Sequence, residues 1–213
     1  RAIEGSRGAP ERNQQGGKVR KASGVNGKSR ATLWIPRMHE ISSLFAAAVL
    51  RGAGFDACAL PAETKESFAL GRSNCRGGEC LPCPATIGAF LDVLRSTGSA
   101  PAQNSLFMPT ASGPCRFGQY CTFHRGVLDS LGFDDVEIVS WSSTNSYAGL
   151  NAAARRRFWS AIVIGDLLFK ARCRILPDER IPGSTEAVYL HSAGLLEKAL
   201  EEGRRLEPVV DQV

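Results

Sequence analysis

"ATLWIPRMHEISSLFAAAVLRGAGFDACALP", residues 31–61, decides the fold class of this chain. Residues 32–36 form a short apolar run that ends at a proline, which is typical of a buried strand. Residues 40–54 then place apolar side chains at the spacing of one helix face, and two glycines end the pattern. A second apolar run follows at residues 55–61. A strand, a helix and a strand within about 30 residues predict a βαβ unit with parallel strands.

The rest of the chain repeats this alternation. Strands are predicted at residues 105–110 and 135–141, and helices at residues 84–98, 116–132, 155–176 and 188–207. Strands that alternate with helices form a parallel sheet covered on both faces. The predicted fold class is therefore α/β, a Rossmann-like parallel sheet with helices on both faces.

Length and charge suggest one α/β domain, residues 31–213, behind a basic leader. The 213 residues are 43% hydrophobic, enough to bury a core. Residues 1–30 hold eight Lys or Arg and two Glu, whereas the remainder holds 18 basic and 19 acidic residues, so the net charge of +5 belongs to the leader. We expect a flexible tail. A polyanion-binding arm is the weaker alternative because the leader lacks aromatic residues for base stacking, and no nucleic-acid partner is expected.

The leader contains one phosphate-loop-like stretch, "ASGVNGKS", residues 22–29. A phosphate loop follows a buried strand and opens a helix, so that backbone amides face the phosphates. Here a polar tail precedes the stretch and a strand follows it. We therefore interpret Lys28 and Ser29 as a chance match.

Cysteine usage and hydropathy predict a cytoplasmic chain with reduced thiols. No apolar run approaches the length of a membrane span, so no membrane partner is expected. Seven cysteines are an odd number, and several are close neighbours, which argues against a disulfide framework. The first residue is Arg rather than Met, and we expect the chain to be a fragment of a longer protein.

Four cysteines lie in surroundings that suit metal ligands: Cys75, Cys80, Cys83 and Cys115. Their spacing, C-x4-C-x2-C and a distant fourth cysteine, is also that of plant-type ferredoxins. Nearby glycines and prolines predict loops that can turn around a metal. We expect the first three to follow the second strand after a short connection, and Cys115 to follow the third strand directly, because sites form at the carboxyl ends of parallel strands.

Zinc and nucleophilic catalysis remain as alternatives to iron. Structural zinc favours two C-x2-C pairs, and Cys80 and Cys83 form one such pair. Cys115 precedes a predicted helix whose N-terminus would favour a thiolate, with His124 as the candidate base. The nine positions between these two residues place them more than two turns apart, so they need not face each other.

The remaining cysteines and histidines are expected to be structural. Cys58 lies in a predicted strand and Cys121 and Cys173 lie in predicted helices, where cysteine is usually a small buried apolar side chain. His39 and His191 are expected to be surface or packing residues.

Several segments together resemble one protein family. They are "TLWIPRM" (32–38), "LRGAGFDACALP" (50–61), "GGECLPCPATIGAFL" (77–91), "FMPTASGPCRFGQY" (107–120), "NSYAGL" (145–150) and "PGSTEAVY" (182–189). The family is that of 2-hydroxyacyl-CoA dehydratase components and related CoA-substrate-specific activase proteins, and the large activase-related or double-cubane-type branch is the most similar. The resemblance covers residues 31–205.

The resemblance implies a Rossmann-like domain with an oxygen-sensitive iron–sulfur cluster, of the 4Fe-4S or double-cubane type. It implies an actin-like-fold ATPase activator as partner, which passes low-potential electrons to the cluster for reduction or dehydration of acyl-CoA, and ATP would be bound by that partner or by a further domain. By motif position, Cys80 and Cys115 are the implied ligands. Cys83 fits the ferredoxin-like spacing. A homodimer is a further expectation.

Charged and polar residues beside these thiols are candidates for tuning the cluster. Arg76, Arg116 and Gln119 stand next to the implied ligands, and cations and backbone amides stabilise a negatively charged cluster. The alternative is that Arg116 and Gln119 cap or pack a helix. The run of arginines at residues 155–157 opens a predicted helix and is expected to form a solvated face rather than a docking site for an acidic activator or CoA phosphates.

Overall fold

The computed structural model describes residues 31–98, 100–110, 113–141 and 150–210, and it has an α/β fold. Its sheet consists of β1 (Thr32–Ile35), β2 (Ala57–Ala59), β3 (Asn104–Phe107) and β4 (Glu137–Val139). The strand order is β2-β1-β3-β4, and every pair is parallel. The predicted parallel sheet is confirmed.

The central strand β1 fixes the register of the sheet. Trp34 lies opposite Cys58 of β2 and Leu106 of β3. The Trp34 indole nitrogen also donates a hydrogen bond to the Asn104 side-chain oxygen at 2.9 Å, which pins β1 against the start of β3. The order reverses at β1, since β2 lies on one side of it and β3 on the other.

Seven helices and three short 3-10 segments surround the sheet in the described part of the chain. The helices are α1 (Glu40–Gly52), α2 (Lys65–Ser73), α3 (Pro82–Ser96), α4 (Tyr120–Ser130), α5 (Ala152–Ile175), α6 (Ser184–Glu201) and α7 (Glu207–Val210), and the 3-10 segments are Pro101–Gln103, Arg116–Gln119 and Leu176–Asp178. The predicted helices are present. Helix α2 was not predicted.

Helices cover both faces of the sheet, as predicted. On one face α1 and α5 pack over β1 and β3, with Leu33, Ile35 and Phe107 in a shared core. On the other face α3 and α4 pack over Leu106 of β3 and Ile138 of β4. Helix α6 forms an outer layer against α1 and α5.

Helices α2 and α3 approach each other closely through two glycines. A Cβ at Gly71 would stand 1.8 Å from the Pro84 carbonyl oxygen, and a Cβ at Gly88 would stand 2.1 Å from the Ser67 carbonyl oxygen. Real side chains are never so close to backbone, so only glycine permits this approach. The two helices that flank the first three candidate thiols are therefore held in direct backbone contact.

Helix α5 contains Cys173 and the arginine run, residues 155–157. Cys173 is exposed rather than buried, because it lies near the C-terminal end of α5, beyond the buried residues Ala161 and Gly165. Residues 155–157 lie near its start, and Arg157 donates from Nη2 to the Gly203 carbonyl oxygen at 2.7 Å.

The other expected structural residues behave largely as predicted. Cys121 is buried in α4, and Cys58 is half-buried in β2. His39 caps α1 by accepting a hydrogen bond from the Ser42 amide at Nδ1, and His191 is exposed on α6.

Two predictions concern the leader or a membrane. The basic leader, residues 1–30, and the phosphate-loop-like stretch within it lie outside the described residues. Within the described ranges, no helix combines the length and apolar content needed to cross a membrane.

Candidate thiol site

The candidate site lies towards the carboxyl edge of the sheet, beyond β3. In a doubly wound parallel sheet, ligands bind at this edge where the strand order reverses, which is here between β1 and β3. Cys115 is in the connection that leaves β3 and immediately precedes the 3-10 segment Arg116–Gln119 and α4. This position agrees with the prediction for Cys115.

The other three cysteines lie between two helices rather than just after a strand. Helix α2 intervenes between β2 and this segment, so the predicted short connection is wrong. Cys75 follows the end of α2, and Cys80 lies in the loop. Cys83 lies in the first turn of α3, not in a loop, because Pro82 occupies the first helical position, where a missing N–H costs nothing.

Arg116 links the two cysteine segments. Its Nη1 donates a hydrogen bond to the Gly78 carbonyl oxygen at 3.0 Å. The side chain thus joins the loop that carries Cys80 to the segment that begins at Cys115. Arg116 is exposed, as are the side chains of Arg76 and Gln119.

Glu79 accepts hydrogen bonds from the backbone amides of its own loop. Its carboxylate accepts hydrogen bonds from the Arg76 amide at 3.1 Å and the Gly77 amide at 2.9 Å. The Arg76 amide is the largest cause of a lowered Glu79 pKa, so the carboxylate stays ionised. These two amides stabilise Glu79, and the positive φ of 93° at Gly77 allows the loop to turn around it.

Cys75 and Cys83 form the inner part of the site. The Cys75 side chain packs against the core cluster that contains Cys83, and Cys83 is only 1% exposed. Burial, together with the neighbouring Cys75 sulfur, raises the pKa of Cys83 to about 12. Cys83 is therefore a neutral thiol at pH 7, and a metal that binds it must displace a proton.

Cys80 and Cys115 form the outer part of the site, and Tyr120 lies near both parts. Both thiols are exposed, whereas Tyr120 is 5% exposed. The sulfurs of Cys80, Cys83 and Cys115 all lie near the Tyr120 hydroxyl. Burial and then these sulfurs raise the pKa of Tyr120 to about 12, so its hydroxyl keeps its proton.

His124 lies beside Cys83, a contact that the sequence did not predict. It is 0% exposed, and its Nε2 lies 3.8 Å from the Cys83 sulfur and 3.4 Å from the Thr86 hydroxyl. Burial lowers the pKa of His124 to about 4, so the ring is neutral at pH 7. His124 was the candidate base for Cys115, but its contacts are with Cys83 and Thr86, beside the inner thiols.

The structure therefore brings the predicted ligands Cys80, Cys83 and Cys115 to one region, with Cys75 beside them. Among the residues that the structure describes, no three His, Cys, Asp or Glu side chains are arranged to hold one metal ion. That finding concerns a single ion. The thiolates of an iron–sulfur cluster bind different irons and stand farther apart, and sulfur is the donor that such clusters use.

Comparisons with known proteins leave the chain without an assigned family. No protein-family model matches it, and neither a curated protein nor a solved structure is significantly similar to it.

Proposed function

We propose that this chain is the iron–sulfur component of a CoA-substrate-specific activase or 2-hydroxyacyl-CoA dehydratase-type system. It accepts low-potential electrons from an ATP-dependent activator. The observation that carries this proposal is that cysteines from two distant segments lie near one buried side chain, that of Tyr120. Cys75 and Cys80 come from the α2–α3 connection, Cys83 comes from the first turn of α3, and Cys115 comes from the connection after β3. The sulfurs of Cys80, Cys83 and Cys115 lie near Tyr120.

The donor chemistry of this group fits a cluster of the 4Fe-4S or double-cubane type. Cys80, Cys83 and Cys115 would hold it, and Cys75 is the fourth available thiol. When bound, such a cluster takes up and passes on single electrons at low potential. Arg116 supplies a positive charge beside the cluster, and its hydrogen bond to the Gly78 carbonyl oxygen joins the two ligand segments.

The ATP and the substrate belong to the wider system in this proposal. An actin-like-fold ATPase, either a separate chain or a further domain, hydrolyses ATP and delivers the electron, and an acyl-CoA is the substrate class. The exposed side of the site, Cys80 and Cys115, supports electron entry from the surface. A homodimer is part of the same proposal, and the location is cytoplasmic.

A metal-free interaction module is the second candidate function. Two observations favour it: Cys83 is a buried neutral thiol, and the outer helices present exposed apolar side chains such as Trp159, Leu167 and Val188. Such side chains are typical of surfaces that contact another protein. In this case the chain would be a truncated or degenerate α/β module.

Anaerobic reconstitution tests the choice between the two. We would purify the chain without oxygen, supply iron and sulfide, and measure iron, acid-labile sulfide and the visible spectrum. The proposal expects iron and sulfide in near-equal amounts and a broad absorption that dithionite bleaches. A colourless chain with no bound iron would contradict it and favour the interaction module.

Matched cysteine variants test the ligand assignment. Cys80→Ala and Cys115→Ala should each abolish cluster binding. Cys173→Ala is the control for removing an exposed thiol, and Cys58→Ala is the control for a half-buried one; both should keep full iron. Full iron in either Cys80→Ala or Cys115→Ala would show that the ligand set is different.

A further inference from the structure

The imidazole of His124 is directed at a candidate ligand sulfur. The side chain is fully buried, on the α4 face that packs against α3, and its Nε2 stands 3.8 Å from the Cys83 sulfur. Sulfur is a weak acceptor that forms longer hydrogen bonds than oxygen. The contact can therefore be an N–H···S hydrogen bond, provided that Nε2 carries the ring hydrogen.

Thr86 determines which ring nitrogen carries that hydrogen. The Thr86 hydroxyl donates to backbone carbonyl oxygens, those of Pro82 at 2.8 Å and Cys83 at 3.1 Å. A hydroxyl has one hydrogen, so Thr86 faces His124 with a lone pair and can only accept from Nε2 at 3.4 Å. The hydrogen therefore lies on Nε2, which it shares between Thr86 and Cys83.

The other ring nitrogen agrees with this tautomer. His124 Nδ1 is buried and has no hydrogen-bond partner among the described residues. A buried acceptor without a partner is less rare in proteins than a buried N–H donor without one. With this tautomer, the nitrogen without a hydrogen-bond partner is the unprotonated Nδ1, and the Nε2–H is directed towards the Cys83 sulfur.

We propose that His124 is a positioning residue, whose Nε2–H donates a hydrogen bond to the Cys83 sulfur and raises the reduction potential of the cluster that Cys83 helps to hold. This role rests on the function proposed above. Hydrogen bonds to ligand sulfurs stabilise the reduced, more negative state of a cluster.

The tautomer is measured first, on the reduced chain without metal. Long-range ¹H–¹⁵N correlation spectra distinguish the two nitrogens of each histidine ring. The role of His124 requires the ring hydrogen to lie on Nε2. A ring with its hydrogen on Nδ1 would overturn the assignment without any reference to a cluster.

The reduction potential is then measured on reconstituted protein. We compare the wild-type chain with His124→Phe, which keeps an aromatic ring near Tyr120 but lacks a donor, and with His124→Gln, whose amide reaches the Nε2 position. His191→Phe is the control, since that histidine is exposed on α6. We expect equal iron in all four proteins, a lower midpoint potential in His124→Phe, and near wild-type potentials in His124→Gln and His191→Phe.

The possible outcomes distinguish failure of the role of His124 from failure of the proposed function on which it rests. Full iron with an unchanged potential in His124→Phe would overturn the role of His124 and leave the cluster in place. A wild-type chain that binds no iron would overturn the proposed function and the role together. If His124→Phe does not fold, a wild-type potential in His124→Gln and the Nε2 tautomer must both be observed, and failure of either refutes the role.

Discussion

Gly88→Ala should destabilise the chain, although alanine is the better helix former. Gly88 lies in α3, where alanine would normally stabilise the helix by about 1 kcal/mol. Its new Cβ would stand 2.1 Å from the Ser67 carbonyl oxygen and 2.9 Å from the Gly71 nitrogen. Both atoms belong to the α2 backbone, which cannot rotate away as a side chain can.

The expected loss of stability is the cost of the close contact minus the gain in helix propensity. Helix α2 would have to move by about 1 Å to restore ordinary contact, and overpacking of this kind costs about 3 kcal/mol at the upper end of its usual range. After the gain in helix propensity, we expect a net loss of about 2 kcal/mol in the free energy of unfolding. For a chain of this size that corresponds to a fall of roughly 4–8 °C in Tm.

Gly126→Ala is the matched control. Gly126 is also a helical glycine, in α4, but a Cβ there meets nothing within 4 Å. It should raise the stability by roughly 0.5–1 kcal/mol. Thermal and urea unfolding followed by circular dichroism would measure both variants. If Gly88→Ala is as stable as Gly126→Ala, the close α2–α3 packing described above is incorrect.

The remaining predictions concern burial and charge. Burial lowers the pKa of His124 in the folded chain to about 4, below its unfolded value, so the neutral ring does not reduce the stability above about pH 6.5. Between pH 7 and pH 5 unfolding takes up a proton, and we expect the free energy of unfolding to fall by about 2 kcal/mol. Urea unfolding of the metal-free chain at both pH values should show this loss, and His124→Gln should remove it. Phe90 is fully buried, so Phe90→Ala should lower the free energy of unfolding by about 3–5 kcal/mol. Trp159 is 67% exposed, so Trp159→Ala should change Tm little. Equal effects of the two variants in thermal unfolding would contradict the core assignment. Brief treatment of the reduced native chain with iodoacetamide should label Cys80 well before Cys83, and peptide mass spectrometry would reveal the opposite order if Cys83 were accessible.

Apolar periodicity predicted most of the fold because it reports directly on burial. Helix α1 and the strands on either side of it have clear apolar patterns, and the sheet formed as expected. Helix α2 was missed because its fully buried residues are Ser67 and Gly71, and Leu70 is only partly buried against the core, so the helix has no clear apolar stripe. The available signal was local: the Thr64 and Ser67 side chains bond reciprocally to each other's backbone amides as a capping box.

The sequence identified the thiols of the site, but it did not predict their burial or their contacts. Spacing identified the thiols, yet it could not show that Cys83 is buried within α3, since proline both ends loops and begins helices. His124 was considered only in relation to Cys115, its neighbour in sequence. The buried face of α4, Tyr120, His124 and Leu128, repeats every four residues, and this pattern could have placed the imidazole in the core.

The site has a buried side and an exposed side, and this asymmetry bears on the proposed function. Cys83 is covered by α3, α4 and His124. In this buried environment a charge is costly, and a hydrogen bond to sulfur is stronger than it would be in water. Cys80 and Cys115 face solvent, next to the Arg116 guanidinium that ties their segments together. A cluster held across both sides would have its potential set from the protein interior, while electrons enter at the surface. The Gly71–Gly88 contact maintains the geometry on which this division depends, because it fixes the helix that precedes Cys75 against the helix that carries Cys83. A variant that separates α2 from α3 should therefore lower the iron content of the reconstituted chain before it unfolds the chain.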